Sequence, residues 1–196
     1  MKSHWVVAIT GASGAIYAKS LLEELGKTNI KISLLFSEYG EWVSRHELEI
    51  SENVLLADYF GKFAKKADFQ FLENSNLAEQ VSSGTSRFSG MAIVPCSMAT
   101  LSAVACGNSR TLIERTADVC LKEHKKLILV PRETPMNLIH LRNMATVTEA
   151  GGIILPATPG FYNLPKTIEE IAQFLAGKIL DQMEIGHQIS ERWGEN

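Results

Sequence analysis

A chain of 196 residues is long enough for one domain with a substantial core, and its 45% hydrophobic and 21% charged residues exclude a disordered polypeptide. Nineteen Lys and Arg against 22 Asp and Glu leave a formal charge of −3, which argues against a generic nucleic-acid binder or a polybasic membrane binder. No apolar run reaches the roughly 18 residues of a membrane helix, and three cysteines with no export signal before them read as reduced thiols of a cytoplasmic protein.

Trp5–Thr10 is an apolar run stopped by Gly11, the pattern of a buried strand. After the glycines, Ile16, Leu21, Leu22 and Leu25 fall on one helical face, and Gly26 is expected to end that helix. Lys31–Phe36 is a second strand, and Ser37 is placed to cap a helix from Glu38 to about Arg45. The stretch from 46 to 90 is the least legible. It holds a weak strand signal near Phe69–Leu72 and a Gly/Ser-rich loop over 81–90. Met91–Val94 is a further clear strand, followed by helices over Ser97–Cys106 and Thr111–Glu123. Leu127–Val130 is the next strand, Pro135 is expected to open a helix over Met136–Thr148, and Ile153–Leu155 is the last strand. A Pro/Gly-rich loop over 157–166 leads to a helix capped by Thr167 and running to about Met183. Continuously apolar strands are buried on both faces. Alternating with helices, they predict a single doubly wound parallel α/β domain, Rossmann-like and flavodoxin-like, with helices on both faces.

In such sheets ligands bind beyond the C-terminal ends of the strands. The rule selects Thr10–Gly14, Ser37, Pro95–Thr100 and Pro131–Thr134. Gly11-Ala12-Ser13-Gly14 joins a strand to a helix with small residues, which suits either a phosphate at a helix start or a plain tight turn. Ser97 and Thr100 repeat that chemistry, with N-capping alone as the bland alternative. Two short helix starts, with Ser37 where a dinucleotide site has an acidic residue, point to a mononucleotide. Arg132-Glu133 is a charged pair at a strand end and reads as a site or a surface ion pair. Arg115 and Lys122, seven apart, share a helical face that is otherwise just a solvated basic one. Tyr162 and Trp193 suit packing as well as a pocket, and His140, on a helix, suits a satisfied core or interface role. No Cys-x-x-Cys or His-x-x-x-His spacing supports a metal site, so none is expected.

Eight segments then match one family in order along nearly the whole chain. They are Thr-Gly-Ala-Ser-Gly-Ala (10–15), Pro-Cys-Ser-x-x-Thr-Leu-Ser-Ala-Val-Ala (95–105), Leu-Ile-Glu-Arg-x-Ala-Asp-Val (112–119), Leu-Lys-Glu (121–123), Leu-Val-Pro-Arg-Glu (129–133), Ile-His-Leu-x-Asn-Met (139–144), Ile-Leu-Pro-Ala-x-Pro-Gly-Phe-Tyr (154–162) and Arg-Trp-Gly-Glu (192–195). The chain resembles the UbiX-type flavin prenyltransferases. The resemblance implies transfer of a dimethylallyl group from dimethylallyl phosphate to N5 and then C6 of reduced FMN, without a metal. The prenylated FMN would serve a UbiD-type decarboxylase.

The resemblance places FMN on Gly11, Ala12, Ser13, Ser37, Ser97, Met98, Ala99, Thr100 and Arg132. It places the donor near Ser83, Gly84, Arg115, Lys122, Glu133, Tyr162, Lys178 and Trp193, with Ser13, Glu47, Lys122 and Glu133 as the catalytic set. Lys178 stands where relatives carry Arg, and its spacing from Ile171 and Phe174 puts it on an apolar helical face expected to point inward. The family also implies a homo-oligomer, a dodecamer, with the tail 184–196 docking on a neighbour. Two other readings stand beside this one: a flavin-dependent cysteine decarboxylase and a non-catalytic FMN-binding subunit. The first lacks the upstream histidine at 76–90 and leaves Arg115, Lys122 and Tyr162 unexplained. The second leaves Ser13, Glu47, Arg132 and Glu133 without a reason.

Overall fold

The computed structural model describes residues 2–189. Six parallel strands form one sheet in the order β3-β2-β1-β4-β5-β6. They are β1 (His4–Ile9), β2 (Lys31–Phe36), β3 (Asp68–Leu72), β4 (Gly90–Cys96), β5 (Lys126–Pro131) and β6 (Ile153–Ile154). The helices are α1 (Ala15–Leu25), α2 (Glu38–Glu47), α3 (Leu56–Gly61), α4 (Met98–Ala105), α5 (Leu112–Lys122), α6 (Leu138–Glu149) and α7 (Ile168–Met183).

The pleat of the strands sorts their side chains into two layers. Trp5, Val7 and Ile9 of β1 join α1 and α7 through Leu21, Leu25, Leu175 and Ile179. Val6 and Ala8 of the same strand join α4 and α5 through Leu101, Val104, Ile113 and Ala117. The chain winds outward from β1 through β2 to β3, then crosses back to β4 on the other side. The order therefore reverses between β1 and β4, and a crevice opens beyond their C-terminal ends.

The weak signal at Phe69–Leu72 is a true sixth strand. It is an edge strand whose residues alternate between exposed and half-buried, so it lacks the continuous apolar run of the central strands. Helix α3 was not foreseen; only Leu56 and Phe60 are buried from it. Pro135 does not open α6. Asn137 caps that helix instead, its side chain accepting from the His140 N–H at 2.9 Å while His140 completes a capping box. Helix α1 ends at Gly26 in ordinary right-handed geometry rather than in the left-handed conformation that only glycine enters cheaply. The start of the expected docking tail packs on its own chain, with Ile185 and Ile189 against the α1–α7 core. Residues 190–196, Trp193 among them, lie outside the described residues.

Candidate active site

The crevice between β1 and β4 is held by one buried hydroxyl. Thr10 is 1% exposed; its Oγ1 donates to Pro95 O at 2.8 Å and accepts from the Ser97 N–H at 2.8 Å. The two strand ends are thus fixed to each other before any ligand enters. A lone polar residue closing an otherwise apolar buried strand was the signal that should have marked it, since a buried hydroxyl needs partners.

Around this joint the sequence-predicted residues form a cradle. Ser97 caps α4: its Oγ accepts from the Thr100 N–H at 3.2 Å and lies 3.0 Å from Thr100 Oγ1. The first N–H groups of a helix have no intrahelical partner, so Met98 and Ala99 present backbone donors at the same end. Ser37 caps α2 in the same way, accepting from the Gly40 N–H at 3.0 Å. Arg132 leans from the end of β5 and donates from Nε to Ser13 O at 3.0 Å, tying the third strand end to the glycine loop. Glu133 beside it accepts from the Thr134 N–H at 3.1 Å.

Of the two readings left open for the glycine loop, the phosphate at the helix start meets a competitor. The Gly14 and Ala15 N–H groups both donate to Glu47 Oε2 at 2.8 Å. The start of α1 therefore holds a carboxylate, supplied from 32 residues downstream, where the sequence suggested a phosphate. Gly11 is also explained by packing: a Cβ there would lie 2.5 Å from Tyr39 Cβ of α2. The hydroxyls, free helix-start donors and guanidinium converge at α4 and β5, and that donor set suits a phosphate-bearing flavin.

A second group forms on α5. Arg115 Nε donates to Ser82 O at 3.0 Å and its Nη1 pairs with Asp118 Oδ2 at 2.7 Å. Lys122 pairs with Glu123, and this hydrogen-bonded ammonium holds the Glu123 carboxyl below the usual carboxylate range. Both side chains crowd Gly84, where any Cβ would meet them. The Ser82–Gly84 turn thus lies against Arg115 and Lys122. Lys122 and Gly84 lie toward the end of α5 that leads into the start of β5, about 20 Å from the cradle for strands of this length, whereas Arg115 stands in the first turn of α5, about 10 Å back along the helix.

A third group is aromatic. The Tyr162 and Phe174 rings meet edge-on with centroids 5.6 Å apart, and Lys178 Nζ lies 6.0 Å from the Phe174 ring. Lys178 does not point inward. It is exposed, on the flank of α7 beside half-buried Ile171 and Phe174, while Ala172, Leu175, Ala176 and Ile179 fill the buried face. Seven residues back and four back mark a shared flank, but the true inward face is set by the small and branched residues one position over.

Among the described residues, no cluster of three or more His, Cys, Asp or Glu has metal-site geometry, and no helix is long and apolar enough to cross a membrane. Cys96 and Cys120 are buried free thiols; burial pushes Cys120 up to about 12 and Cys96 higher still, so neither is a ready nucleophile.

The Flavoprotein family model matches residues 1–192. The flavin prenyltransferase UbiX of Halalkalibacterium halodurans is 45% identical over 197 residues, covering 99% of this chain and 95% of the relative. The crystal structure of AnUbiX in complex with FMN and dimethylallyl pyrophosphate superposes with a TM-score of 0.88 at 38% identity, covering 99% of this chain and 98% of that one. A dodecameric FMN-dependent UbiX-like decarboxylase from Escherichia coli O157:H7 is similar at a TM-score of 0.86 and 36% identity, covering 97% of this chain and 98% of that one.

Proposed function

The chain belongs to the flavoprotein family, on its flavin prenyltransferase branch, and we propose that it transfers a dimethylallyl group from dimethylallyl phosphate to reduced FMN. The observation that carries the reading is the crevice joined by Thr10, with Ser97 and Thr100 at the start of α4 and Arg132 at the end of β5, bonded to the glycine loop, around its mouth. Those residues hold the FMN phosphate, and Gly11, Ala12, Ser13, Ser37, Met98 and Ala99 line its approach. Reduced FMN supplies the nucleophilic N5 and C6 positions. The donor's C–O bond breaks with its electron pair going to the phosphate, and cations must stabilise that leaving charge. Arg115, Lys122 and Lys178 carry this task without a metal ion, and Tyr162 offers a π face to the allylic group. The bond to N5 forms first. The N5 proton leaves as that bond forms. Closing the ring then needs a proton delivered to the inner alkene carbon of the N5-bound group, so that C6 attacks the tertiary carbon and loses its own proton. Glu47 or Glu133, with Ser13 beside them, passes one proton in and takes the other up.

The separation of the cradle from Lys122 and Gly84 within one chain supports a site completed by neighbouring copies. Helix α6 supports the same reading: Leu138, Ile139 and Leu141 are 59%, 65% and 50% exposed, a patch that suits burial against another subunit. We infer a homo-oligomer, a dodecamer as in the Escherichia coli relative. The product serves a UbiD-type decarboxylase, and the reaction takes place in the cytoplasm.

Mass spectrometry of the flavin after anaerobic incubation with reduced FMN and dimethylallyl monophosphate or diphosphate tests the activity. A mass gain of one five-carbon unit with either donor supports it; unchanged FMN with both overturns it.

A further inference from the structure

The segment 82–88 is a strap with little to hold it. Val81 and Phe88 are buried at its two ends, and between them Ser82, Ser83, Gly84, Thr85, Ser86 and Arg87 place no side chain in the core. Its own bonds are local: the Ser86 N–H donates to Ser83 O at 3.1 Å, and the Ser83 and Thr85 hydroxyls meet at 2.9 Å. A segment without buried apolar contacts or ladder bonds opens easily.

What holds it is a row of basic side chains from α5 and the turn after it, gripping every second residue. Arg115 takes Ser82 O at 3.0 Å, the Lys122–Glu123 pair closes around Gly84, and Lys125 takes Ser86 O. Lys125 also lies over the Phe88 ring, 4.0 Å from its centroid. Arg115 and Lys122 already have a role with the donor phosphate. Lys125 does not, and its ammonium is directed at the strap.

We propose that Lys125 is a positioning residue for the donor: by pinning the strap at Ser86 and Phe88 it keeps the Ser83–Gly84 turn against Arg115 and Lys122. The proposal rests on the assignment of those two cations to the donor phosphate. Without the pin, the turn leaves the two cations, and donor phosphate loses the hydroxyl and backbone groups that the turn presents beside them. Nothing in this arrangement touches the FMN cradle.

The test uses the FMN-loaded full chain with Lys125→Met, which keeps an unbranched stem over Phe88 but no donor, and Lys125→Arg, which keeps both the donor and the cation over the ring. Lys125→Met should raise the KM for dimethylallyl monophosphate about 10-fold, the loss expected for one charged hydrogen bond, with kcat and FMN affinity within about two-fold. Amide exchange over 82–86 should accelerate while Tm stays within a few degrees, and Lys125→Arg should restore both readouts. An unchanged donor KM in Lys125→Met, or failure of Lys125→Arg to restore it, overturns the proposal even where exchange accelerates. A wild-type protein that consumes no donor overturns the functional reading together with this inference, whereas a wild-type KM in the Met variant of an active enzyme overturns this inference alone.

Discussion

The cradle and the strap are built in opposite ways. In the cradle, backbone meets backbone: Ser37 N–H donates to Ile9 O at 3.0 Å, Thr10 N–H donates to Pro95 O at 3.2 Å beside its buried hydroxyl, and Gly40 lies so close to the Ile9 carbonyl that no side chain fits between them. In the strap, long flexible side chains hold a chain of serines, and the atoms crowding Gly84 are the ends of Lys122 and Glu123. Backbone geometry is fixed once the sheet forms, which suits a nucleotide held in one pose throughout a reaction. Ammonium and guanidinium groups on rotatable stems can exchange one anion for another, which suits a phosphate that arrives, leaves and is replaced.

The sharpest probe of the cradle is Glu47. Glu47→Gln keeps an oxygen to accept from Gly14 and Ala15 but loses the charge and the proton-accepting carboxylate. FMN affinity should hold while single-turnover prenylation falls about 100-fold or more, the lower end of general acid–base contributions; a wild-type rate would confine Glu47 to capping α1. Next in size is Lys178, a side-chain cation like those of the strap. Lys178→Ala should cut kcat/KM for the donor roughly 10- to 150-fold, as for one charged contact, with FMN binding intact and Lys178→Arg tolerated. An unchanged kcat/KM would leave Lys178 a solvated residue on the flank of α7.

A glycine pair tests the contrast between backbone and side-chain construction directly. Gly40→Ala drives a methyl into the Ile9 carbonyl and should cost about 1–3 kcal/mol, seen as a Tm lowered by roughly 2–10 °C for a chain of this length. Gly84→Ala displaces only the Lys122–Glu123 pair, so thermal melting should barely move while the donor KM rises. Equal melting losses in the two variants would erase the distinction.

The smallest effect is a pH dependence at the strap's far end. His4 faces Phe88 edge-on at 6.3 Å, and its Nε2 lies 2.9 Å from Ser33 Oγ. Burial, aided by Lys31 and Lys125 and opposed by Asp68, lowers its pKa from 6.5 to about 4. The folded protein therefore binds fewer protons than the unfolded chain between those values, and stability is lost as pH falls from 6.5 towards 4. His4→Gln should remove about 1 kcal/mol of that loss, roughly 2–4 °C in Tm between pH 7 and pH 4.5. A variant with the same pH profile as wild type would show that His4 takes up its proton as readily in the folded protein as in the unfolded chain.

The central architecture was legible because β1, β2, β4 and β5 are buried on both faces and write themselves as apolar runs, with Ser33 of β2 the one polar interruption inside them. β3 and α3 were not, since an edge strand and a helix with two buried residues leave little periodicity. The strand-end rule located Ser37, Ser97, Thr100 and Arg132 from topology alone. Glu47, Ser83 and Gly84 were reachable only through family resemblance: the bond from Glu47 to Ala15 spans 32 residues, and no local pattern announces it. Glu123 and Lys125 were missed because a charge run after a helix ordinarily reads as solvated surface.

The two rims of the sheet bear on how copies of this chain meet. One rim is β6, only two residues long; the other is β3, which turns Asp68 and Gln70 outward just after Lys65 and Lys66. Neither offers a long, flat, uncharged ladder for a foreign strand. Molecules crowded together as they leave the ribosome are thereby steered away from zipping edge to edge into fibres, and the greasy α6 patch can remain on display without inviting that kind of runaway growth.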